Sequence, residues 1–203
     1  NVTLIFSLDR YQKVMDAYLA GLEERLEAGL SINGISSVAS FFISRVDAEV
    51  DKRLDLIGTP TALALRGRAA VAQAKLAYER FRTTFSGMRW ETLAQHGASV
   101  QRPLWASTST KNPSYPDTLY VDELIGHDSV NTLPDATLEA FADHGTLRTT
   151  IDQNVHESHR VWVALAEVGV DMDDVARQLE DEGVLSFQKS YRVNYFNTGH
   201  FTL

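Results

Sequence analysis

Cysteine is absent from this chain of 203 residues, so neither a disulfide nor a thiolate metal site can form. No run of about 18 apolar residues is present to cross a bilayer as a helix. No charged segment followed by an apolar one opens the sequence in the manner of a secretory leader. Basic residues are the scarcer charge: 19 Lys and Arg stand against 27 Asp and Glu, giving a net charge of −8 and a pI of about 5.2. That balance argues against a nucleic-acid partner, whose phosphates call for a basic face. It also repels anionic ligands weakly unless a local basic pocket draws them in. Internal repeats and low-complexity segments are missing as well. With 44% hydrophobic and 23% charged residues, a cytoplasmic globular protein with one sizeable core and no membrane partner is expected.

What is present is an alternation of short apolar runs and amphipathic stretches. Residues 2–6 and 38–44 read as buried strands, β-branched and aromatic, ending at Ser7 and Ser44. Ser7 suits the N-cap of a helix whose apolar stripe includes Tyr11, Met15, Leu19 and Leu22, with Gly29 as a stop. Val46, Val50 and Leu54 mark one face of a helix over 45–54. Thr59-Pro60 opens one long helix in the proline-first style, with Leu65, Ala69, Ala72, Leu76, Phe81 and Phe85 on its buried side. Further strands are predicted over 102–107 and 129–133, with a turn or two of helix between them. Helices follow over 135–142, 148–168 and 171–181. Buried strands separated by crossovers of this length pair in parallel, which makes an α/β fold.

Each strand ends in polar residues that a core would not choose. Asn1 and Thr3 share one side of the first strand; Ser44-Arg45, Ser107 with Lys111, and Asn131-Thr132 close the others. Helix capping and ordinary strand-end polarity account for any one of these, whereas all four together favour a shared pocket. Hydroxyls and amides suit a polyhydroxylated ligand, and Arg45 and Lys111 would neutralise a phosphate. His156 and His159 share a helix face, but without a third ligand or the four-residue zincin spacing no metal is expected. A Schiff-base lysine must sit desolvated. Of the five lysines, Lys13, Lys52 and Lys75 fall on polar helix positions where solvation is expected, Lys111 is in a loop and Lys189 is in an odd tail. None is embedded in an apolar strand, so the pocket lacks an evident nucleophile.

Several runs in order, NVTLIFS (residues 1–7), SFFISRVD (40–47), WASTSTKNP (105–113), DTLYV (117–121) and VNTLP (130–134), resemble the transaldolases, especially the branch found in actinobacteria and plants. The resemblance extends to about residue 190. It implies a TIM (β/α)8 barrel of which this chain matches the fifth to eighth strands, with residues 191–203 as an atypical tail. Members transfer a dihydroxyacetone unit between sugar phosphates in the pentose phosphate pathway, through a lysine Schiff base and without cofactor or metal. That lysine belongs to the fourth strand, and the acid/base carboxylates to the first and third, all upstream of Asn1. By the same resemblance Asn1 binds substrate hydroxyls, Thr3 positions the catalytic water, Ser44 is a sixth-strand site residue and Ser107 lies near the phosphate. Arg45 follows Ser44 directly, where better-known branches carry an arginine several residues later. Lys111 stands where another arginine is expected, keeping the charge and losing the bidentate fork. An apolar strand at position one predicts that residues precede it, so the missing N-terminal half of the barrel is the expected partner and this chain alone is expected to be inactive. The alternative is a non-enzymatic partial barrel serving as a binding or assembly fragment.

Overall fold

In the computed structural model the described residues are 1–197, with side chains to Tyr191. The chain runs β1 (Val2–Ile5), α1 (Leu8–Glu27), β2 (Ser37–Phe42), α2 (Ser44–Ile57), α3 (Pro60–Leu63), α4 (Ala69–Thr84), α5 (Gly87–Gln95), β3 (Gln101–Ala106), α6 (Leu119–Asp122), β4 (Val130–Asn131), α7 (Asp135–His144), α8 (Val155–Glu167) and α9 (Met172–Asn197). The four strands form one parallel sheet in sequential order. Helices therefore cross over between neighbours, as expected for buried apolar strands. No helix among the described residues is long and apolar enough to cross a membrane.

Register fixes which side chains meet the helices. Phe41 pairs with Ile5 on one side and Trp105 on the other, and all three are buried. Tyr11 of α1 meets Phe41 edge-on at 5.6 Å, and Phe41 meets Trp105 edge-on at 6.1 Å. Quadrupoles favour this geometry over face-to-face stacking. Ser40 and Phe42 point to the opposite face by the two-residue period. The stripes predicted for α1, α2 and α4 are the buried ones: Met15, Val46, Val50, Leu54 and Ala69 are fully enclosed. Ser7 caps α1 by accepting the Arg10 N–H at 3.1 Å, and Thr59 caps α3 by accepting that of Ala62 at 3.2 Å.

Four elements depart from the sequence reading. The long helix from Pro60 is broken after one turn, and α4 restarts at Ala69. Gly67 causes the break: its φ of +69° belongs to the left-handed region, and a Cβ there would lie 2.7 Å from the Tyr115 ring. Lys75, expected in solvent, is buried because α8 packs on α4; its ammonium donates to Glu123 Oε2 at 2.8 Å and to the Gln153 carbonyl at 3.2 Å. The fourth strand is reduced to Val130–Asn131. The last helix passes through position 190 to Asn197, while residues 198–203 of the expected tail lie outside the described residues.

Gly67→Ala combines left-handed strain with overpacking against a ring that Asp51 holds in place. A loss of roughly 2–4 kcal/mol is expected in urea unfolding. A change within about 0.5 kcal/mol, the range of an ordinary surface substitution, would show that the break does not need glycine.

Candidate functional site

The backbone ladder between β2 and β3 continues past the strands. Ile43 N–H donates to the Ala106 carbonyl and Ser44 N–H to that of Ser107, each at 3.0 Å. These bonds bring the Ser44 and Ser107 hydroxyls to 2.9 Å from each other. Ser107 adopts φ +57°, a conformation that costs a side-chain-bearing residue about 1–2 kcal/mol. It turns the chain directly after the strand. Thr108, fully buried, then lies 2.7 Å from Asn131 Oδ1 and 3.0 Å from the Thr132 carbonyl. The ends of β2, β3 and β4 are thus tied into one polar rim. Ser44 also opens α2, whose first amide groups lack a side-chain cap and present partial positive charge there.

A pocket of about 240 Å³ opens beside this rim, lined by Ser44, Asp47, Asp51, Arg66, Lys111 and Tyr115 among others. The Lys111 ammonium donates to Ser109 Oγ at 2.9 Å. Arg45 does not line the pocket: its guanidinium sits 5.1 Å over the Phe42 ring, which packs on Phe6 at 4.9 Å. Asn1 accepts from Ser40 Oγ at 2.9 Å. Thr3 is exposed and has no side-chain partner among the described residues. Beyond Thr3 the strand is irregular, with positive φ at Leu4 and a register shift between Val2 and Ile5. Ser44, Ser107 and Lys111 therefore come together, while Asn1, Thr3 and Arg45 are not joined to them by any described bond.

Two carboxylates of α2 were not singled out in the sequence. Asp47, 1% exposed, accepts from Ala70 N–H and Tyr120 O–H, both at 2.7 Å. Asp51 accepts from Gly67 N–H at 2.9 Å and Tyr115 O–H at 2.5 Å. Burial pushes Asp47 up to about 6, against the pull of its two donors, and the nearby Asp51 charge adds to the rise. Both tyrosine hydroxyls are pushed up, chiefly by burial and then by the carboxylates they face. The available signal was their i, i+4 spacing immediately after Val46 and Val50, which places both aspartates at the border of the apolar stripe. Arg66 was missed because it lay inside an expected continuous helix.

No group of three or more His, Cys, Asp or Glu that could hold a metal occurs among the described residues. His159 instead faces Glu79 at 2.9 Å on the surface. None of the five lysines lies on a strand; Lys75 pairs with Glu123, just after α6, and Lys52 pairs with Glu49 at 2.8 Å.

Comparison with known proteins gives a consistent picture. Residues 1–196 match the family described as transaldolase/fructose-6-phosphate aldolase. The chain is 57% identical over 192 residues to a protein named transaldolase from Frankia alni, covering 94% of this chain and 52% of that protein. It is 60% identical over 192 residues to one from a Parafrankia species, with the same coverage, and 55% identical over 193 residues to one from Mycobacterium leprae, again covering 94% and 52%. The chain spans about half the length of the curated relatives it matches.

Asp47 gives the fold a pH signature. Its folded pKa of about 6 exceeds the model-peptide value of 3.8, so its contribution is complete below that lower value and is lost as pH rises through 6. The loss is on the order of 2–3 kcal/mol. Asp47→Asn keeps an acceptor for Ala70 and a donor for Tyr120 without the titration. Chemical denaturation from pH 4 to 7 should show a decline in wild type that the variant lacks; equal slopes would refute the assignment.

Proposed function

This chain belongs to the transaldolase/fructose-6-phosphate aldolase family, and from that premise we propose that it is the carboxyl-terminal half of a transaldolase, carrying the sugar-phosphate side of the site. The family folds as a TIM barrel, and four sequential parallel strands alternating with helices match half of one. The observation that carries the proposal is the Ser44–Ser107 contact at the carboxyl ends of β2 and β3, with Lys111 beside it. Functional groups of such barrels gather at that end of the strands.

In the proposed reaction a dihydroxyacetone unit passes from sedoheptulose 7-phosphate to glyceraldehyde 3-phosphate, yielding erythrose 4-phosphate and fructose 6-phosphate. Ser44 and Ser107 hydrogen-bond the ligand at the rim, and Lys111 supplies charge to the phosphate. Asn1 holds substrate hydroxyls, Thr3 positions the water that hydrolyses the Schiff base, and Arg45 is a second cation of the rim. The nucleophilic lysine lies upstream of Asn1, on a strand of the other half. Support comes from the lysines present: Lys75, the buried one, is ion-paired with Glu123 and lines a different pocket from the one beside the rim. No cofactor enters this scheme, and the cytoplasm is the proposed compartment.

Borohydride trapping with fructose 6-phosphate, read by mass spectrometry, tests the division of labour. A reduced adduct is expected on a lysine of the upstream half in the complete enzyme, and none on residues 1–203 alone. An adduct on Lys13, Lys52, Lys75, Lys111 or Lys189 would overturn it.

A further inference from the structure

Arg66 lines the pocket that holds Ser44 and Lys111, yet it comes from the break between α3 and α4 rather than from any strand end. One contact holds both cations there. Tyr115, four residues beyond Lys111 in the same loop, donates to Asp51 Oδ2 at 2.5 Å. Its ring occupies the space over Gly67, the neighbour of Arg66, where a Cβ would lie 2.7 Å away. Gly67 in turn donates its N–H to the other Asp51 oxygen at 2.9 Å. The Lys111 loop and the Arg66 break are therefore fastened to the same aspartate.

The lining is mixed in charge, but Asp47 and Asp51 are turned to protein donors rather than to the two cations. Both oxygens of Asp47 and of Asp51 are occupied by donors. Lys52 is engaged by Glu49. Lys111 bonds to a neutral hydroxyl, and Arg66 meets Asp55 through Nε at 3.3 Å, with no bond described for its two terminal nitrogens. A planar guanidinium fork and a point-charge ammonium facing one pocket suit a phosphoryl group, which accepts bidentate and single donors together.

We propose that Arg66 is a phosphate-recognising residue working with Lys111, and that Tyr115 is the positioning residue that holds the two together. This deepens the sugar-phosphate reading above and rests on it. Selectivity for phosphorylated over plain sugars then draws on loop cations as well as on the strand-end rim.

The test titrates the chain with fructose 6-phosphate and with fructose, following amide resonances by NMR, in wild type, Arg66→Ala, Arg66→Lys, Asp55→Asn and Tyr115→Phe. Arg66→Ala is expected to weaken fructose 6-phosphate by about 10- to 100-fold and leave fructose unchanged. Arg66→Lys should recover part of the loss, and Asp55→Asn, which frees the guanidinium, should tighten the phosphorylated ligand. Tyr115→Phe keeps the ring on Gly67 and should weaken only the phosphorylated ligand. Equal weakening of both sugars by Arg66→Ala, or no effect on either, would overturn the assignment. A wild-type chain that binds the two sugars alike would instead contradict the sugar-phosphate reading itself.

Discussion

The register of β2 against β3 is the constraint on which the rest depends. Six consecutive residue pairs, from Ser37 with Gln101 to Phe42 with Ala106, set Phe41 beside Trp105 under the helices. The same ladder, continued by two bonds, sets Ser44 beside Ser107. A slip of one residue would turn every side chain of one strand to the other face. Trp105 would leave the core and Ser107 would part from Ser44 in the same step. Core and rim are therefore specified by one set of backbone bonds, and the buried aromatic face stabilises the geometry of the polar end.

A second layer of organisation stands behind the rim. Asp47 and Asp51, one turn apart on α2, accept from the start of α4 or the residues just before it, and from two tyrosines in and before α6. Four donors on two carboxylates compensate their removal from water. They also fix where the β3–α6 loop runs, and with it Lys111. Asp47 keeps part of the burial penalty, seen in its raised pKa. Lys75 and Glu123 do a similar task between α4 and the segment that precedes α8. Polar groups inside the helix layer, rather than further apolar packing, thus tie the loops to the scaffold.

Local signals made much of this legible in the sequence. Apolar stripes located α1, α2 and α4, short β-branched and aromatic runs located three of the strands, and Ser7 and Thr59 marked helix starts by capping chemistry. Ser44, Ser107 and Lys111 stood out because polar residues closed apolar strands, and the structure gathers these three. What escaped was tertiary. Gly67 breaks a helix because Tyr115, 48 positions later, needs its space. Lys75 reads as a polar helix position until α8 covers it. Asp47 reads as solvated until Tyr120 and Ala70 close over it. In each case the deciding partner lies far away in sequence, and periodicity carries no information about it.

The shared rim is tested most directly by a double-mutant cycle on Ser44 and Ser107, measured as affinity for fructose 6-phosphate. Two hydroxyls 2.9 Å apart that act on one ligand should be coupled. Ser44→Ala and Ser107→Ala should each weaken binding, and the pair should fall short of their sum by about 1 kcal/mol. Strictly additive losses, or single substitutions without effect, would mean that the ends of β2 and β3 meet without forming a site.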